Sequence, residues 1–341
     1  MKINMKEWMA SVLSSSRRIA IPIMTHSGIE MIGHTVKEAV TNGEIHAQAI
    51  QTLAEKYPSA ASSVIMDLTV EAEAFGAEVV FTEHEVPTVV GRLVSNAEEI
   101  EALKIPSLSE GRVSEYLKAN RLVAAHSQKP VFSGCIGPYS LAGRLFDMSE
   151  IMMAIYIEPE PVKKLLDKCT RFITDYCLAL KETGVNGVLI AEPAAGLLSD
   201  EACQEFSSVY VRRIVEQVQD EFFSVILHNC GNVGQCTAAM LGTGAIGYHF
   251  GNAVDMVETL QACPSDVLVM GNIDPVGVFK MDTPEQVYEK VTDLLNKTSG
   301  YHNFILSSGC DTPPGVPFEN IEMFYKALDD YNVNICYEKS V

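Results

Sequence analysis

The sequence predicts an α/β fold: a single (β/α)8 barrel over residues 1–341, with a helical extension at its N-terminus and an elaboration after the second strand. Three observations predict it. Short apolar runs recur eight times, stretches of helical period lie between them, and no low-complexity segment, linker or shift in composition divides the chain. Alternating strands and helices build parallel α/β folds, and eight repeats suit a closed barrel.

The strand runs are IAIPIM (19–24), SSVIMDL (62–68), KPVFSG (129–134), NGVLIAE (186–192), FFSVILHN (222–229), AIGYHF (245–250), VLVMGN (267–272) and NFILSS (303–308). Each is short, rich in Val and Ile, and apolar on both faces, as a parallel strand covered on both sides must be. Between them, 34–57, 158–184, 199–221 and 282–300 read as helices. Gly184 is a C-cap for the second of these. Ser199 or Asp200 caps the third, and Asp282 or Thr283 the fourth. The segment 77–127 breaks the rhythm. AEVVFTEHEVPTVVGRLVS reads as a hairpin and the remainder as helices, an elaboration between the second and third barrel strands. An open doubly wound sheet shares the alternation, but no GxGxxG follows the first strand. No GxxxxGK[ST] is present either, which argues against a P-loop enzyme.

Composition narrows the function. The net charge of −19 is the wrong sign for a phosphate backbone or an anionic membrane surface. No run of about 18 apolar residues is present to span a membrane, and the N-terminus lacks the apolar core of a signal peptide. Nine scattered cysteines, an odd number, do not read as a disulfide scaffold. The expectation is a cytoplasmic protein whose thiols are free to bind metal.

Chemistry in such a barrel sits at the C-terminal ends of the strands. Four candidate metal ligands fall there. His228 and Cys230 end the fifth run, Cys310 follows the eighth in SSGCDTPPG, and Glu192 ends the fourth. His-x-Cys on an extended chain puts both side chains on one face, and Gly231 and Gly309 beside the cysteines let the backbone turn. An imidazole with two thiolates suits zinc. Three ligands from distant strands leave a fourth position for substrate, which Glu192 could fill at rest. Such a site is formally neutral, so it strips a bound thiol of its proton yet leaves the sulfur nucleophilic. The rival reading is that the motif arises by chance and the cysteines are small buried hydrophobes.

GPYSLAG (137–143), EPAAGLLS (192–199), HNCGNV (228–233) and GNIDP (271–275) resemble the uroporphyrinogen decarboxylase superfamily over nearly the whole chain. The His-x-Cys at 228–230 with the later Cys310 resembles its branch of methylcobamide:coenzyme M methyltransferases. That resemblance implies a zinc barrel moving a methyl group from methylcobamide, carried by a partner corrinoid protein, to a small thiol such as coenzyme M. The superfamily includes dimers, so a monomer or a homodimer is expected. The arginine-rich WxMRQAGRY stretch of the decarboxylases is replaced by IPIMTHSGIEMIG, which removes their clamp for substrate carboxylates. Their catalytic Asp does have a counterpart, Asp67. The alternatives are thus a metal-free decarboxylase acting through Asp67, or a non-catalytic partner of a corrinoid protein.

The remaining candidates are strand-end residues expected to face substrate or corrinoid: His26, Tyr139, His249, Asn272 and Asp274. Four of the five have a plainer reading. His26 caps a turn, Tyr139 packs under the site, and Asn272 and Asp274 build the turn after the seventh run. Asp67 and Glu71 share a helical spacing and suit a helix start. His34, His46, His84, His126 and His302 read as surface or packed histidines, and the other seven cysteines, Cys336 among them, show no partner pattern.

Overall fold

The computed structural model describes residues 3–338, with side chains to Asn334, so the Cys336 side chain lies outside the described residues. In chain order the strands are β1 (Ser62–Ser63), β2 (Glu78–Val80), β3 (Thr88–Val90), β4 (Val131–Ile136), β5 (Gly187–Ala191), β6 (Ser224–Asn229), β7 (Gly247–Phe250), β8 (Leu268–Ile273) and β9 (Phe304–Ser308). Seven form one parallel sheet in the order β1-β4-β5-β6-β7-β8-β9. The run 19–24 closes the ring as the eighth stave. Ala20 bridges Leu306, Ile21 N donates to Leu306 O at 2.9 Å, and Ala60 N donates to Ala20 O at 2.9 Å.

The first two staves are shorter than the sequence predicts, for local reasons. Pro22 has no N–H to continue a ladder. In the second run, Ile65 N donates to the buried His46 Nε2 at 2.9 Å instead of to a neighbouring strand. Burial keeps His46 neutral, its pKa lowered to about 3.

Side chains alternate across each stave. Ile21, Phe132, Leu189, Ile226, Met270 and Ile305 fill the barrel interior, while Val131, Val188, Leu227 and Leu306 face the helices. The predicted N-terminal extension is the helix Met5–Ser14, capped by the Asn4 side chain. It seals one end of the interior with Met5 and Trp8, the Trp8 ring lying 6.3 Å from that of Phe132. The elaboration is the antiparallel β2–β3 hairpin followed by the helices Ala97–Ala102 and Val113–His126. Caps resolve as Ser199 and as Thr283, the latter in a capping box with Gln286. Gly184 takes the left-handed conformation, φ 96°, just beyond the helix Pro159–Glu182. Among the described residues no helix is long and apolar enough to cross a membrane.

Candidate metal centre and its pocket

Ile226 points into the barrel, so His228, two residues on, points in as well, directly beside His249 of β7. Cys230 lies in the turn after β6 and Cys310 in the turn after β9. His228 Nε2 and Cys310 Sγ are 3.6 Å apart. The ligand atoms of His228, Cys230 and Cys310 all lie within 4.8 Å of one another. A tetrahedral zinc with Zn–N about 2.0 Å and Zn–S about 2.3 Å separates nitrogen from sulfur by about 3.5 Å. The donor set and its spacing therefore fit such an ion.

The thiols respond to each other. A hydrogen bond from Cys310 pulls the Cys230 pKa down against the opposing effect of burial. Cys310, as donor and buried, is pushed up. A cation between them removes that competition and favours both thiolates. Gly231 and Gly309 have ordinary backbone angles, so they do not serve the sharp turns expected. They serve close approach: a Cβ on Gly231 would collide with Pro193 O, and one on Gly309 would lie 2.7 Å from Asn252 N.

Glu192 is not a fourth ligand in this arrangement. Its Oε1 accepts from Tyr139 N at 2.8 Å, and its Oε2 from Ser140 N at 2.8 Å and Ser140 Oγ at 2.7 Å. The carboxylate is spent on the first turn of the helix Pro138–Phe146, where a negative charge meets unpaired N–H groups. Burial raises its pKa, and those hydrogen bonds oppose the rise.

Asp67 lines the pocket but is fully engaged. Its Oδ2 pairs with Arg112 Nη1 at 2.5 Å and accepts from Tyr116 OH at 3.3 Å. Its Oδ1 accepts from Thr69 N and Thr69 Oγ1 at 2.9 and 2.7 Å. A carboxylate so held is a structural ion pair, not a free acid or base.

The other candidates divide. His26 does reach the pocket. Its Nδ1 lies 2.9 Å from Thr312 O and 3.6 Å from Asp311, while its buried Nε2 has no hydrogen-bond partner among the described residues. Burial lowers its pKa, but Asp311 and Thr312 together outweigh burial and raise it. Tyr139, His249, Asn272 and Asp274 do not line the cavity. Tyr139 is fully buried. Asn272 Nδ2 donates to Gly251 O and Val254 O at 3.0 and 2.9 Å, and Asp274 Oδ1 accepts from Val276 N and Gly277 N at 2.9 and 2.8 Å. Asp274 builds its own turn, as short polar side chains do, whereas Asn272 ties the end of β8 to the loop that follows β7. His249, also fully buried, contacts His228.

Above the ligands opens a cavity of about 700 Å³, walled by the strand ends, by Thr312–Pro314, and by His84 to Thr88 of the β2–β3 hairpin. His84 is thus a wall residue rather than an ordinary surface histidine. Arg144 was not singled out by sequence. It lies on the helix Pro138–Phe146, lines the cavity, and makes no hydrogen bond or ion pair with a described side chain or backbone group. Burial lowers its pKa, and Asp67 and Glu71 raise it, leaving it a cation. A lone Arg in the otherwise uncharged GPYSLAGRLF was the available signal. Lys280 also lines the cavity, its Nζ donating to Pro314 O at 2.8 Å.

The uroporphyrinogen decarboxylase (URO-D) family matches residues 15–331. The chain is 30% identical to a methylcobamide:CoM methyltransferase, MtbA, of Methanosarcina acetivorans, over 87% of this chain and 90% of that one. It is 27% identical to a uroporphyrinogen decarboxylase of Legionella pneumophila, over 85% and 84%. In structure it resembles a methyltransferase from Methanosarcina mazei, with a TM-score of 0.86 at 22% identity over 95% and 97% of the two chains. The barrel, the matched span and these likenesses agree: the chain belongs to the uroporphyrinogen decarboxylase family, on its methylcobamide:coenzyme M methyltransferase branch.

Proposed function

We propose that the chain transfers a methyl group from a methylated corrinoid, carried by a partner protein, to the sulfur of a small thiol, using a zinc ion held by His228, Cys230 and Cys310. The observation that carries this is the convergence of one imidazole and two thiols, within 4.8 Å of one another, at the floor of an open cavity. When bound, zinc supplies the Lewis acidity that makes a thiol release its proton near neutral pH. The rest falls to side chains. His228 and the two cysteines fix the reacting sulfur at the barrel mouth. Arg144 lines the same cavity without a hydrogen bond or ion pair to a described group, so it favours an anionic group on the incoming thiol. Coenzyme M has that character. The fastening of Asp67 to Arg112 weighs against the decarboxylase alternative.

Two measurements test the proposal. The first is zinc content of the wild type beside Cys230→Ser and Cys310→Ser. The second is methyl transfer from methylcobalamin to coenzyme M. The expected result is about one zinc per chain, lost in both variants together with thiol methylation. A zinc-loaded chain that methylates no thiol would refute the reading. So would decarboxylation of a porphyrinogen that survives chelation and Cys310→Ser. A chain that binds a corrinoid protein tightly without turnover would indicate a non-catalytic partner.

A further inference from the structure

The ring nitrogen of His228 that faces away from the two cysteines lies 2.8 Å from the Nδ1 of His249. His249 Nε2 in turn lies 2.8 Å from Ser307 Oγ, and Ser307 Oγ lies 2.8 Å from the carbonyl oxygen of Ile21. Three strands and the closing stave contribute one link each, and every member is buried: His228 and Ile21 to within 2% exposure, His249 and Ser307 completely.

The end of the chain sets its direction. A carbonyl oxygen only accepts, so Ser307 spends its one hydroxyl hydrogen on Ile21. Ser307 must then accept from His249, which carries its proton on Nε2 and presents a bare Nδ1. His228 must therefore donate from Nδ1, which leaves Nε2 without a proton. Nε2 is the atom 3.6 Å from Cys310 Sγ. The reverse order would leave the Ser307 and Ile21 oxygens 2.8 Å apart with no hydrogen between them.

From this geometry we infer that His249 and Ser307 are positioning residues that fix the His228 tautomer, so that its Nε2 lone pair is presented to a metal before any metal arrives. The inference rests on the metal reading above. Ligating histidines usually give their second N–H to a carboxylate, a carbonyl or water. Here a second imidazole is the nearer acceptor, at 2.8 Å against 3.3 Å for the His249 carbonyl oxygen, and it passes the orientation on to the backbone of the stave that closes the barrel. A histidine relay does this without adding negative charge to a site that already holds two thiolates.

The tautomers are directly observable. Two-bond ¹⁵N–¹H correlation spectra of the full chain, recorded after chelation, should show His228 protonated at Nδ1 and His249 at Nε2. A proton on His228 Nε2 would overturn the inference. Zinc affinity, measured by competition with a chromophoric chelator, supplies the second readout. His249→Leu removes the imidazole acceptor and leaves His228 Nδ1 only the backbone carbonyl of residue 249, at 3.3 Å; it should weaken zinc binding up to roughly 10-fold, while His249→Asn, which keeps a side-chain oxygen near His228 Nδ1, should recover most of the loss. Ser307→Ala frees the His249 ring and should weaken binding in the same direction, and it serves if His249→Leu does not fold. Wild-type affinity in folded His249→Leu or Ser307→Ala would refute the positioning role. A wild type that binds no zinc but shows the assigned tautomers would refute the metal reading and leave the relay standing.

Discussion

Replacing Glu71 by Gln should flatten the dependence of stability on pH. Glu71 sits in the helix Val70–Phe75, 1% exposed. Its Oε1 accepts from Ile136 N at 3.0 Å, and its Oε2 has no hydrogen-bond partner among the described residues. Burial is the main influence and raises its pKa from an ordinary 4.5 to about 8; the nearby charge of Asp67 adds to the rise, and backbone N–H groups and Arg144 oppose it. Below about pH 4.5 folded and unfolded chains both hold the proton, and the group contributes no slope. Between about 4.5 and 8 the unfolded chain releases it and the folded chain keeps it. Stability therefore falls as pH rises, by about 1.4 kcal/mol per pH unit. Over the whole window the loss is roughly 5 kcal/mol. Denaturant midpoints at intervals from pH 5 to 8.5 measure it for wild type and Glu71→Gln. All other titrations are common to both chains and cancel in the difference. Glu71→Gln should gain on the wild type by roughly 4 kcal/mol across that range, with most of the change below pH 8. Parallel curves would mean that Glu71 ionises normally in the folded chain, and the reasoning from burial would fail.

Asp67→Asn should destabilise the fold by roughly 1–3 kcal/mol, because it removes one of the two carboxylates that pair with Arg112 and leaves only Glu73, whose Oε2 lies 2.6 Å from Arg112 Nε. Zinc content should stay at the wild-type level, and an unchanged midpoint in thermal unfolding would show that the ion pair contributes nothing. Arg144→Gln should raise KM for an anionic thiol roughly 10- to 100-fold, the worth of a charge-assisted hydrogen bond. KM for a neutral thiol of similar size should change little, and equal effects on both would show that Arg144 does not read charge. Gly137→Ala places a Cβ 2.6 Å from Glu192 Oε1 and in collision with the rest of that side chain. Calorimetry should show a loss of roughly 1–3 kcal/mol, and wild-type stability would mean that Glu192 can leave the helix start at no cost.

Much of the architecture was written locally. Eight apolar runs with intervening amphipathic stretches determine a barrel, because a strand covered on both faces and a helix with one apolar face have few other ways to bury themselves. Period two along VILHNC was enough to put His228 and Cys230 on one side of the chain. The strand-end position of Cys310 was enough to bring it near them. The sequence also held the reasons for the two short staves, in Pro22 and in the reach of His46 to Ile65 N, though only the first was visible as a residue type.

What the tertiary structure alone decided is which polar side chain meets which. Glu192, Asp67, Asn272 and Asp274 all stand at strand ends, as a ligand or catalytic residue would. Each is nevertheless committed to a neighbour: a helix start, an arginine 45 residues along the chain, or a turn. Those partners lie on other elements or in backbone geometry that no periodicity encodes, and a carboxylate's role follows from its partners. His249 shows the same from the other side. Its place beside His228 follows from strand register, but its orientation depends on Ser307 and on a carbonyl of the first stave, 286 residues from that serine. Sequence supplied the donors and acceptors of the metal centre and its relay, and only the closed ring of strands, by packing them away from water, set how each of them is used.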